Sequence, residues 1–243
     1  MNHAPATPDE LAVHAETAVR PRRQRRRPWL LVAVVILTVG LAAAGGAGYL
    51  LRSSASPPAD DGAEAGFARD MQVHHAQAVE MSFIVREKST DPALRAMAYD
   101  VITSQQQQIG QMYAWLQVWG LPQTSTAPPM SWMSGMDHAQ MAGMPSAPAS
   151  MTLLPDGRMP GMATRSDVAR LRAARGRSAE ILWLQLMIPH HQAGVMMAEA
   201  VLQRSRDPQV LTLANAIRTA QLAEIEQMRR MLRTRDSAET IPS

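Results

Sequence analysis

The sequence predicts an all-α fold: a four-helix bundle assembled from two duplicated helical hairpins and preceded by one transmembrane helix. Three observations carry this expectation. The stretch MQVHHAQAVEM at residues 71–81 returns as MIPHHQAGVMM at 187–197, displaced by 116 positions. Around both copies the apolar residues recur in the 4/3 spacing of one helical face. Each copy is then interrupted by Asp-Pro, with Asp as N-cap and Pro at the first helical position of a new helix.

Laid without a gap, residues 71–116 and 187–232 agree at 16 of 46 positions, a register too long to arise by chance. The pairs include Met71/Met187, His74/His190, His75/His191, Met81/Met197, Gln105/Gln221, Met112/Met228 and Leu116/Leu232. A fixed-period repeat means one supersecondary unit used twice, each copy burying its apolar face against the other. Much of what is shared is Met, His and Gln, which a purely apolar core does not require.

Residues 1–28 form a basic tail with six arginines against three acids, which leaves 18 basic and 18 acidic residues in the remainder. The basic balance therefore belongs to the tail, and the folded part has no net charge with which to attract nucleic acid. Residues 29–51, WLLVAVVILTVGLAAAGGAGYLL, carry no charge and are long enough to span a hydrocarbon core. A cleavable signal peptide competes for this segment through Ala42-Ala43-Ala44, but its apolar region would be shorter and its basic leader nearer the start. With arginines on the N-terminal flank, the tail is expected in the cytoplasm and everything after Leu51 outside it, and both readings agree on that compartment. Residues 52–66 read as a linker.

The duplicated domain is expected over 67–235, with repeats at 67–120 and 178–235 and a connector at 121–164. In the first repeat Met71, His74, Ala78, Met81 and Val85 share a face; after Asp91-Pro92 the second helix carries Ala98, Ile102, Gln105, Ile109, Met112 and Leu116. The second repeat runs Met187, His190, Gly194, Met197 and Val201, turns at Asp207-Pro208, and continues Ala214, Ile217, Gln221, Ile225, Met228 and Leu232. Two such hairpins make a four-helix bundle. Pro189 is expected to kink or restart its helix just before His190. The connector, rich in Pro, Gly, Ser and Met, is expected to hold no single conformation, and Asp167–Arg175 reads as a short helix stopped by Gly176. Lys88, Arg170, Arg172, Arg175, Arg177, Arg204 and Arg206 read as solvated helix surface.

Met71/His74 and Met187/His190 sit one turn apart on their helices, with His75 and His191 flanking the same face. Met81, Met112, Met197 and Met228 lie on the apolar stripes. The chain has no cysteine, so thiolate sites and disulfides are excluded, while thioether sulfur is abundant. Thioether selects Cu(I) and, by analogy, Ag(I), and imidazole suits either copper state. The alternative is structural: Met fills irregular gaps, and Gln105 and Gln221 are ready hydrogen-bond partners for core histidines. In the connector, Met130, Met133, Met136, His138, Met141 and Met144 suggest a mobile metal-collecting arm. Neither histidine pair has the Glu-x-x-His spacing of a carboxylate di-iron centre, and no phosphate loop, nucleophile elbow or HExxH motif occurs.

MDHAQMAGM at 136–144 resembles the methionine-rich copper-binding segments of periplasmic copper-resistance proteins. The paired MxxHHxxxxxM helices, each followed by QxxxIxxM, resemble the bacterial family known as domain of unknown function 305, and MPGMATRSDVARLRAARG at 159–176 is similar to that family's connector. The resemblance implies a ferritin-like four-helix bundle, secreted or membrane-anchored, with copper binding in some members and no implied enzymatic activity. It marks Met71, His74, His75, Met81, Met187, His190, His191 and Met197, with Met112 and Met228 on the partner helices. Gln108 departs from the family pattern where Glu224 matches its usual acid. The expected function is a membrane-anchored extracytoplasmic copper or silver binding protein that sequesters the metal or exchanges it with copper-handling envelope proteins. The rival is a metal-free helical interaction module of the envelope, and a metal-dependent oxidoreductase is the weaker alternative.

Overall fold

The computed structural model describes residues 57–134 and 153–239. The basic tail, the apolar segment 29–51, the start of the linker, and Met136, His138, Met141 and Met144 lie outside the described residues. Among the described residues there are five α-helices and no strand: α1 Ala63–Lys88, α2 Pro92–Val118, α3 Arg165–Ala173, α4 Gly176–Arg204 and α5 Pro208–Glu239, with a 3₁₀ turn at Ser131–Met133. None of these helices is long and apolar enough to cross a membrane.

The hairpin turns are the same device used twice. Asp91 Oδ1 accepts from the backbone N–H of Ala93 at 2.8 Å and Leu94 at 3.3 Å, and Asp207 Oδ1 from Gln209 at 2.7 Å and Val210 at 3.2 Å. Each aspartate's own N–H donates to the serine two residues earlier, Ser89 or Ser205. Asp supplies the acceptor that the first turn lacks, and Pro follows where no donor is needed. The hairpins α1/α2 and α4/α5 then meet through α1 and α4, the two histidine helices. The predicted stripes face inward: Met71, His74, Ala78, Met81 and Val85 on α1, and Met187, His190, Gly194, Met197 and Val201 on α4, are all buried.

Several boundaries differ from expectation. α1 begins at Ala63, inside the segment read as linker, because Ala65, Phe67 and Ala68 already belong to the core. α4 runs without a break from Gly176 through Pro189 to Arg204, so the expected restart does not occur. The connector packs directly on that stretch: Gly161 has φ +76°, and a Cβ there would stand 2.5 Å from the Pro189 carbonyl oxygen. Only glycine fits both the left-handed backbone and the close approach. α3 starts at Arg165, two residues early, because Thr164 and Asp167 form a reciprocal capping box that the sequence reading overlooked.

The connector's described ends are ordered against the bundle. Asp70, buried on α1, accepts from the Met130 backbone N–H at 2.7 Å and from the Trp132 indole N–H at 2.8 Å. Burial raises the Asp70 carboxyl above its ordinary range, and these two donors with Arg69 pull it back. Trp132 meets Phe67 edge-on, and a Cβ on Gly66 would lie 2.3 Å from its indole. Arg204 is not the solvated surface residue expected, since its guanidinium donates to the Trp132, Met133 and Ser134 carbonyl oxygens. Met130 and Met133 are accordingly core residues, 4% and 3% exposed, and not part of a mobile arm.

Candidate metal centre

The core separates into two hydrophobic clusters, one at each end of the bundle, with the histidines between them. Met71, Met112 and Met197 belong to one cluster, and Met81, Met187 and Met228 to the other. Displacing the first trio by 116 residues, with exchange of the two copies, produces the second. Each trio takes two methionines from one repeat and one from the other, so neither is complete without both hairpins. All six side chains are buried.

At the centre, His74 of α1 stacks on its own repeat mate, His190 of α4, with ring centroids 3.8 Å apart and planes tilted by 33°. A residue touching its mate marks the local two-fold axis of the duplication. His75 and His191 lie off that axis, 6.2 and 6.3 Å from their neighbouring rings. All four imidazoles have 0% exposure. Neither ring nitrogen of His74 or of His190 has a hydrogen-bond partner, and Nδ1 of His75 and of His191 also lacks one. Such orphaned buried polar atoms are rare in folded proteins, and each calls for an explanation.

Burial holds the rings of His74, His75 and His190 neutral. His74 and His190 are pushed well below the ordinary imidazole range, first by desolvation and then by the surrounding histidines. Each also approaches the other's backbone, which opposes the shift without reaching hydrogen-bond geometry. Desolvation brings His75 down to about 3, against the opposing effect of its hydrogen bond to Gln108. A neutral imidazole keeps one nitrogen lone pair, the form in which it ligates a metal.

The expected partners Gln105 and Gln221 do not serve the histidines. Both are buried with their amide oxygens unpaired, and Gln221 is packed over Gly194, where a Cβ would stand 2.3 Å from its Oε1. The acceptors are instead Gln108, with Oε1 2.6 Å from His75 Nε2, and Glu224, with Oε2 2.8 Å from His191 Nε2. They were recoverable from the repeat: both stand 33 residues after their histidine, and they occupy mated positions. Gln105 and Gln108 are one turn apart on one face of α2, and only the offset between helices decides which of them reaches the ring.

Among the described residues no group of three or more His, Cys, Asp or Glu side chains is arranged to hold a metal ion. Besides the four imidazoles, the core holds the buried thioethers of Met71, Met81, Met112, Met187, Met197 and Met228 and the unpaired amide oxygens of Gln105 and Gln221. Neutral imidazole with thioether is a soft, uncharged donor set, matched to a cation such as Cu(I) or Ag(I).

The family model described as domain of unknown function (DUF305) matches residues 64–232. The chain is similar to the crystal structure of a DUF305 protein from Streptomyces coelicolor, described as a presumed secreted protein, at 40% identity over 73% of this chain and 96% of that one, with a TM-score of 0.63. A DUF305 fragment from Deinococcus radiodurans is 32% identical over 72% of this chain and 97% of its own, with a TM-score of 0.54. The structure of CopM in the Cu(I)-bound form shares the fold at 24% identity, covering 70% of this chain and 96% of that one, with a TM-score of 0.51. No curated protein matches the chain. With more than half of its length matched, and with the repeated segments 71–116 and 187–232 and both histidine pairs inside the matched region, the chain belongs to the DUF305 family.

Proposed function

We propose that this domain binds a soft metal cation, Cu(I) or Ag(I), in the core of its bundle, and sequesters or passes on that cation outside the cytoplasm. His74, His75, His190 and His191 supply the nitrogen donors; Met71, Met81, Met112, Met187, Met197 and Met228 supply sulfur. The observation that carries this reading is the buried, neutral His74/His190 pair whose four ring nitrogens have no partner. A histidine kept for helix register needs hydrogen bonds, and these two have none. Neither imidazole nor thioether must lose a proton that it holds in the core, so binding proceeds without a general base. The role is binding and not catalysis.

The apolar segment 29–51 would tether the domain to the membrane, with the domain on the extracytoplasmic side, where it can exchange metal with other copper-handling envelope proteins. The presumed secretion of the Streptomyces coelicolor relative is in keeping with that compartment.

Titration of the chain with Cu(I) against a competing chelator tests the reading. Uptake is expected, and it should be lost from the core when His74 and His190 are both replaced by Leu. That pair of substitutions removes unpartnered polar atoms at similar volume, so the metal-free variant should unfold at the same or a higher temperature than wild type. Unchanged uptake in this variant, or a loss of stability of several kcal/mol without metal, would refute the proposal.

A further inference from the structure

The two repeats place their off-axis histidines against different acceptors. Glu224 is a carboxylate, which only accepts, so the hydrogen of this bond is carried by His191 Nε2, and His191 Nδ1 is buried without a partner. Gln108, with its amide oxygen towards His75, takes the hydrogen of His75 Nε2 in the same way. Each repeat thus presents one unpartnered ring nitrogen, Nδ1, in a fully buried position. The second repeat backs it with a negative charge and the first with a neutral dipole. A carboxylate behind a ligating imidazole forms the stronger hydrogen bond, raises the donor strength of the ring, and adds its own attraction for a cation in a low-dielectric core.

We infer that the centre consists of two unequal half-sites: the His191–Glu224 half takes up the cation first and more tightly, and the His75–Gln108 half second. This rests on the soft-metal reading above and adds an order of loading to it. The separation expected from such an outer partner is about 10- to 100-fold in affinity. The two ends of the centre then retain and release metal at different free concentrations, although their sulfur trios are mates.

The test is a titration of the full chain with Ag(I), which is diamagnetic, followed by the imidazole NMR signals of His75 and His191, so that the connector methionines do not enter the readout. In wild type the His191 signals should respond at lower Ag(I) than those of His75. Glu224→Gln should weaken the His191 response by about 10- to 100-fold and merge the two steps, and Gln108→Glu should merge them by strengthening the other. The double swap should restore two steps in reversed order, which also shows that the variants fold. Simultaneous responses in wild type, or a Glu224→Gln variant with the wild-type separation, overturn the ordered loading and leave soft-metal binding standing. A wild-type chain in which neither histidine responds overturns both.

Discussion

The two ends of the bundle begin from mated residues and are closed by unlike means. At one end Met71, Met112 and Met197 are packed with Met130, Met133 and Met159 of the connector, which Asp70 and Arg204 hold in place. At the other end Met81, Met187 and Met228 lie in the cluster below a buried ionic latch. There Arg235 donates to Glu180 at 2.9 Å and to Asp91, while Ser89 donates to Glu180 at 2.6 Å. Two of these closing groups have chemically different mates, Leu186 for Asp70 and Trp119 for Arg235, whereas Glu64 repeats Glu180 and Lys88 keeps the charge of Arg204. The connector and the short helix after it reach both clusters, with Met130, Met133 and Met159 at one end and Ala163 and Leu171 at the other, but only the second end carries the Arg235 latch. The centre keeps all four histidines in both copies and differs in the acceptor behind the off-axis ring, Gln108 in one and Glu224 in the other.

Acid should separate the centre from both ends, and most strongly. His74, His75 and His190 have folded-state values below the ordinary 6.5. Above that value both folded and unfolded chains hold these rings neutral. Below it the unfolded chain takes up protons that the fold refuses, so stability is lost as pH falls, down to about 3 in the case of His75. The slope is about 1.4 kcal/mol per pH unit for each histidine, hence up to about 4 kcal/mol per unit for the three. Denaturant unfolding of the metal-free protein at about pH 7 and pH 5.5 measures it, and equal midpoints would mean that the rings are not held neutral.

Breaking the ionic latch comes next. Arg235→Met leaves Glu180 buried without its cation and should cost about 3–5 kcal/mol in chemical denaturation. Replacing Glu180 and Arg235 together by apolar residues should recover much of that loss. At the connector end, Asp70→Leu installs the mate's residue and strands the Met130 and Trp132 N–H groups. A loss of about 2–3 kcal/mol is expected, with faster hydrogen exchange at the Trp132 indole; an unaltered exchange rate would show that the connector is held by packing alone.

The smallest contrast lies in the two caps. Asp207→Ala should cost about 1 kcal/mol, the value of an N-cap. Asp91→Ala should cost more, because Asp91 also receives Arg235. Equal melting-temperature shifts for the two would indicate that this arm of the latch adds nothing.

Helices, turns and the duplicated histidine faces were determined by the sequence alone, because each depends on groups a few residues apart. The 4/3 spacing sets which side of α1 or α4 is apolar, and Asp-Pro sets where the next helix begins. Contacts between helices were decided by the tertiary structure. Local spacing could not show that Met197 joins Met71 and Met112, that His75 reaches Gln108 in preference to Gln105, or that Pro189 is carried inside an unbroken helix. Nor could composition distinguish Met130 and Met133, which the bundle buries, from methionines left to other duties. Periodicity fixes the direction in which a side chain leaves its own helix, whereas the neighbour it meets depends on the offset and approach of a second helix more than 30 residues away, set by packing of the whole core.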